Sequence, residues 1–92
     1  MAIVTLRYWA AAKEAAGTAE ETISAGTLAE ALAAAQGKAE DGERGQQNSR
    51  LRAVLARSSF LIDGTPVGTR APETVVLSDA AVIEVLPPFA GG

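Results

Sequence analysis

A chain of 92 residues, 48% of them hydrophobic and 21% charged, suits one compact domain (residues 1–92) and is too apolar to be disordered. Its formal net charge of −3 argues against nucleic-acid binding, which needs a clustered basic face. With neither cysteine nor histidine, it has no disulfides, thiolate nucleophiles, imidazole bases or usual zinc ligands, and no metal site is expected. There is no signal-peptide pattern at the start and no apolar run of roughly 20 residues to span a bilayer, so no membrane partner and a cytoplasmic location are expected.

Ile3 to Trp9 reads as a strand, with Val4, Leu6 and Tyr8 alternating with Thr5, Arg7 and Trp9. That alternation sets Tyr8 in the core and Trp9 on the exposed side of a sheet. Ala10 to Ala16 has high helix propensity, and Gly17 is placed to end it with a left-handed cap. A short second strand follows around Ile23, from Glu20 to Ser24. Thr27-Leu28-Ala29-Glu30 matches a capping box, and Leu28, Ala31, Leu32 and Ala35 behind it form one apolar helical stripe. Gly37 is the expected stop of that helix. The stretch from Gly37 to Ser49 has three glycines, several charges and no large apolar residue, and reads as a mobile loop.

Ser49 is placed to cap a short helix with Leu51, Val54 and Leu55 inward. Arg50, Arg52 and Arg57 lie close together here and read as a solvated helix face rather than a docking patch. Ser59 to Asp63 is apolar on both faces through Phe60, Leu61 and Ile62, as a central strand would be, with Phe60 in the core. Asp63-Gly64 is a hairpin-turn signal. Val75 to Leu77 reads as a short strand and Ala81 to Leu86 as a further one. The order predicts a two-layer α+β domain, a mixed sheet with its main helix on one face. The carboxylates of Asp63 and Glu84 are better explained by a turn and a solvated strand face than by acid–base work. The glycines form no phosphate-binding loop, so no cofactor is expected on this chain.

The chain ends Leu86-Pro87-Pro88-Phe89-Ala90-Gly91-Gly92. Pro87 and Pro88 cannot donate to a sheet ladder, so the last strand stops there and residues 87–92 form a flexible tail. Fully extended, that tail reaches about 20 Å. Without Cβ atoms, Gly91 and Gly92 can enter a channel that side chains would block. The one chemical group at the tip is the Gly92 carboxylate. Adenylation makes such a carboxylate electrophilic, and attack by a persulfide sulfur leads to a thiocarboxylate. None of this requires a catalytic side chain on this chain.

The ending Pro87-Pro88-Phe89-Ala90-Gly91-Gly92 resembles the Pro-Pro-apolar-x-Gly-Gly tail of the MoaD/ThiS sulfur carriers, ubiquitin-like proteins of the β-grasp fold. It is most similar to the MoaD branch, the small subunit of molybdopterin synthase. The front segment Tyr8-Trp9-Ala10-Ala11-Ala12-Lys13-Glu14-Ala15-Ala16-Gly17 resembles that branch's aromatic-aromatic-Ala-x-x-Arg-Glu-x-x-Gly, with Lys13 in place of the arginine. Two differences stand out: Asp79-Ala80-Ala81 replaces Asp-Gly-Asp, and Phe89 replaces a valine.

The resemblance implies a β-grasp sheet whose first and last strands pair in parallel. It implies a non-catalytic sulfur carrier serving molybdopterin synthesis, with Gly92 carrying the chemistry and Pro87, Pro88, Ala90 and Gly91 threading the tail. Phe89 and Trp9 would hold the partners. Those partners would be an adenylating enzyme of the ubiquitin-activating type, which binds the Mg-ATP, and a molybdopterin synthase large subunit or another sulfur-accepting enzyme. The free carrier is expected to be monomeric. Cysteine, thiamine or a specialised sulfur metabolite are alternative acceptors, although the chain is longer than the thiamine-pathway carriers. A ubiquitin-like modifier conjugated through Gly92 is the other reading.

Overall fold

The computed structural model describes residues 2–39 and 45–88, with the backbone alone over 37–39 and 45–49. Its elements are β1 (Ala2–Tyr8), α1 (Ala10–Ala16), β2 (Glu20–Ala25), α2 (Leu28–Ala39), α3 (Gly45–Arg57), β3 (Ser59–Ile62), β4 (Thr65–Pro66), a 3-10 turn (Pro72–Thr74) and β5 (Val82–Leu86). The sheet has five strands in the order β2-β1-β5-β3-β4. β1 and β5 are its parallel pair, with Leu6 opposite Ile83 and Tyr8 opposite Val85. β2 runs antiparallel to β1, and β3 antiparallel to both β5 and β4. This is a β-grasp architecture.

Alternation on the strands builds the core. Val4, Leu6, Tyr8, Ile23, Ile83 and Val85 are buried on one face, together with Leu28, Ala31, Ala35, Leu51 and Leu55 from α2 and α3. In α1, Ala12, Ala15 and Ala16 are buried, and their small side chains let that short helix lie close to its neighbours. Gly17 ends α1 at φ 79°, with its N–H donating to the Lys13 carbonyl. The capping box forms as expected. Glu30 N–H donates to Thr27 Oγ1 at 3.2 Å, and Glu30 Oε1 accepts from Thr27 N–H at 3.2 Å. The same oxygen also accepts from Gly26 N–H at 2.7 Å.

The structure corrects several sequence expectations. α2 does not stop at Gly37 but continues to Ala39. One glycine costs a helix only about 1 kcal/mol relative to alanine, which the alanine-rich run before it offsets. The loop expected over 37–49 is helical at 37–39 and 45–49, and residues 40–44 lie outside the described residues. α3 begins at Gly45, so Ser49 lies inside it and is not its cap. β3 is inner by pairing, yet Phe60, Leu61 and Ile62 are each only half-buried, because its outer neighbour β4 has just two residues. Phe60 therefore packs against the core without being enclosed by it. Val75 to Leu77 forms no strand; it makes a single bridge, Val76 to Thr27.

Asp63 and Gly64 form the expected turn, both at positive φ (50° and 84°), as a tight hairpin between right-twisted strands requires. Strand β1 stops at Tyr8, and Trp9 caps α1 with extended backbone (φ −115°, ψ 150°). Trp9 is 42% exposed: its backbone is still extended, so it alternates with buried Tyr8 as the strand pattern predicts, and the chain turns only after it, at Ala10 (φ 48°).

Candidate functional site

The parallel β1–β5 pair decides where the chain end emerges. Both strands run the same way, so Leu86 leaves the sheet beside Tyr8 and Trp9. The Trp9 N–H donates to the Val85 carbonyl at 3.3 Å, joining the first strand's exit to the last one's. Pro87 is buried and still belongs to the packed body, while Pro88 is exposed. Phe89, Ala90, Gly91 and Gly92 lie outside the described residues.

Around that exit, the Arg7 guanidinium lies over the Trp9 ring, 5.3 Å from its centroid. Arg7 Nε is also 3.7 Å from Glu20 Oε2, with both side chains substantially exposed. An ion pair so exposed adds little stability, while the cation over the indole face holds the guanidinium beside the ring. Arg7, Trp9, Lys13 and Glu20 line a shallow cleft of about 130 Å³ with Tyr8 at its base. The Tyr8 hydroxyl donates to Glu21 Oε2 at 2.7 Å. Burial first, then this bond and the glutamate's charge, push its pKa above the ordinary tyrosine value. The phenol therefore stays protonated and acts as a structural donor, not a base.

The helices cover one face of the sheet. By register, the other face carries Ile3, Arg7, Leu61, Val82, Glu84 and Leu86. Ile3 is 52% exposed, and Val82, Glu84 and Leu86 are half-buried. Together with Trp9 this makes a mixed apolar and charged surface adjoining the tail exit. Sequence reading singled out Trp9 but passed over Arg7 and the apolar Leu61, Val82 and Leu86. The two-residue period of β1 and β5 carries that signal, since residues alternating with core positions must share the outer face. The turn at Ala10 has no sequence signal, because alanine rarely takes positive φ.

Asp63 and Glu84 do not act as a pair. Asp63 Oδ1 accepts from Val82 N–H at 3.0 Å, and Glu84 lies opposite Arg7 and Leu61 in the sheet. Among the described residues no group of three metal-ligand side chains converges, and no helix is long and apolar enough to cross a membrane. The arrangement brings the last strand out of the sheet at one pole, beside an aromatic–cation pair.

Comparison with known proteins agrees with this geometry. The ThiS family model matches residues 6–92. The fold is similar to small archaeal modifier protein 1 from Methanosarcina acetivorans, at TM-score 0.78 and 24% identity, covering 100% of this chain and 98% of that one. The same protein from Haloferax volcanii gives TM-score 0.72 and 17% identity, covering 98% and 99%. One chain of the Helicobacter pylori complex of molybdopterin-converting factor subunits 1 and 2 gives TM-score 0.62 and 23% identity, covering 98% of this chain and 99% of that one. No protein of curated function matches the chain.

Proposed function

Because the chain belongs to the ThiS family, we propose that it is a sulfur carrier whose Gly92 carboxylate is converted to a thiocarboxylate. A partner adenylates the carboxylate with Mg-ATP, releasing pyrophosphate. A persulfide sulfur then attacks the acyl carbon and expels AMP. Cleavage of the resulting acyl disulfide by a second thiol frees the thiocarboxylate and leaves a disulfide on the partner. This chain contributes the carboxylate, the slender Ala90-Gly91-Gly92 end and the stiff Pro87-Pro88 exit. Trp9 and Phe89 hold the partner, and the activating enzyme and its ATP site belong to other proteins. Molybdopterin synthesis is the favoured destination, with a synthase large subunit as acceptor.

The observation that carries the reading is the parallel β1–β5 register, with Trp9 bonded to Val85. It brings Leu86, the last strand residue before the Pro-Pro segment, out of the sheet beside an exposed indole. The Helicobacter pylori complex of subunits 1 and 2 supports a synthase-type partner, by likeness of fold. The decisive experiment incubates the purified chain with its activating enzyme, ATP and a sulfur donor, then weighs it. The expected mass gain is that of one oxygen exchanged for sulfur at the C-terminus; an unchanged mass overturns the proposal. Reconstitution with the candidate acceptors then separates molybdopterin from cysteine, thiamine or another sulfur metabolite.

Likeness to the archaeal modifier proteins favours a second use of the same end, isopeptide conjugation to lysines of other proteins. Gly92-dependent ladders on a denaturing gel under loading conditions test it.

A further inference from the structure

On the helix side of the molecule, away from the open sheet face, a trough of about 370 Å³ runs between α2 and α3. Leu32, Leu55, Ala56, Phe60 and Pro72 make it apolar. At one rim, Arg52 Nε donates to Gln36 Oε1 at 3.3 Å, bridging the two helices. The trough exists because β3 ends the packed part of the sheet: β4 is too short to cover Phe60, which stays half-buried beneath the helices.

The charge beside it is uneven. The chain is acidic, with 11 acidic and 8 basic residues, yet α3 holds Arg50, Arg52 and Arg57 and no acid. All three are exposed. At 3.6 residues per turn, Arg52 falls on the flank facing α2, and Arg50 with Arg57 on the opposite flank. Exposed Ala53 and Ala56 lie between them, so a neighbour can approach the helix ridge closely. Across the trough, apolar Pro72 makes the far wall.

We infer that this trough and the α3 ridge dock an acidic segment of a protein partner, seating one apolar side chain against Leu55 and Phe60 and its carboxylates against Arg52, Arg50 and Arg57. Charge complementarity selects the occupant. The arginines are spread over about 10 Å of helix, too far apart for one small anion but matched to successive acids on a peptide. Exposure alone would leave the arginines a solvated face; the adjoining apolar trough gives them something to flank. The surface is separate from the tail and the open sheet face, so its use does not depend on what Gly92 carries.

The test uses the full chain, isotope-labelled for NMR, and a synthetic helical peptide with glutamates flanking a single leucine. The expected result is amide shifts at Leu32, Gln36, Arg52, Ala56 and Phe60. Affinity should fall about tenfold when the peptide's glutamates become glutamines or when the chain carries R52E with R57E. Both arginines are exposed, so an unchanged thermal melt shows the variant folded. No binding, shifts elsewhere, or equal binding of the glutamine peptide overturns the inference. It also fails if octanoate alone moves the same residues as strongly, which would mark a small-anion pocket. Shifts that appear on concentrating the chain without peptide would assign the trough to a second copy and overturn it too.

Discussion

The two ends of the β1–β5 pair use their polar groups in opposite ways. Where the strands begin, side chains turn inward to the backbone. Asp79 Oδ1 accepts from Ile3 N–H at 2.9 Å, and Asp63 Oδ1 from Val82 N–H at 3.0 Å. Ala80 N–H donates to the Ile3 carbonyl at 2.8 Å and Thr5 N–H to the Ala81 carbonyl at 2.9 Å. Where the strands end, Arg7 lies over Trp9 and near Glu20, and both side chains stay substantially exposed. One pole is fastened, and the other leaves its chemistry available. A carrier needs both, because a chain end can be aimed reproducibly only from strands that do not slip.

Changes at the free pole should therefore alter function and spare stability. The largest effect is expected from one residue added after Gly92, or from deleting Gly92. Loading measured by mass should be lost completely, with the thermal melt unchanged. Trp9→Ala comes next. Loss of an exposed aromatic anchor should weaken binding of the activating enzyme about tenfold, read by calorimetric titration, again without a change in melting. A Trp9 variant that binds normally would break the contrast between the poles.

Changes at the fastened pole should do the reverse. Asp79→Ala removes the carboxylate that accepts from Ile3 and should cost about 1 kcal/mol, a modest value because the bond is exposed. Asp79→Asn keeps an acceptor and should recover most of it in denaturant unfolding. Loading should follow wild type in both. Tyr8, at the end of β1, gives a pH signature. Its folded pKa is raised above the unfolded value of about 10, so its contribution to stability is complete below that pH. Stability is then lost as pH rises further, since the unfolded chain releases a proton that the folded chain retains. Denaturant unfolding at alkaline pH should show this decline. Tyr8→Phe should flatten it.

How much of this was legible in the sequence depends on where each signal resides. The Gly17 cap, the Thr27–Glu30 box, the Asp63-Gly64 turn and the alternation of β1 and β5 are local, and each element formed near its expected place. The parallel pairing of β1 with β5 joins residues nearly a chain length apart. Periodicity could not supply it; the family resemblance did. A local reading of 37–49 as loop misses the helical ends at 37–39 and 45–49, because its glycines outweigh their neighbours there, whereas α2 and α3 gain stability from burying Ala35, Leu51 and Leu55. Phe60 was misread because its burial depends on the length of β4, which its own sequence does not encode. At the site, the alternation that buries Tyr8 also exposes Trp9, as the strand pattern predicts, and the chain turns only afterwards, at Ala10.

That turn and its counterpart at the other pole allow the finest test. Ala80 sits at φ 70° and Ala10 at φ 48°, a region that disfavours any residue with a Cβ by about 1 kcal/mol or more. Glycine at either site removes that strain but increases the freedom of the unfolded chain, so the net gain should be small, about 0.5 kcal/mol. The poles should still respond differently. Ala80→Gly relaxes a loop held by four backbone and carboxylate bonds, and should raise the melting temperature slightly while leaving partner affinity as it was. Ala10→Gly loosens the joint that follows Trp9. It should leave stability almost unchanged and weaken partner binding a few-fold, because an indole no longer fixed must be ordered on docking. Equal effects of the two substitutions on affinity would mean that Trp9 is positioned by its Val85 bond and Arg7 contact alone, and that the backbone turn contributes nothing to the site.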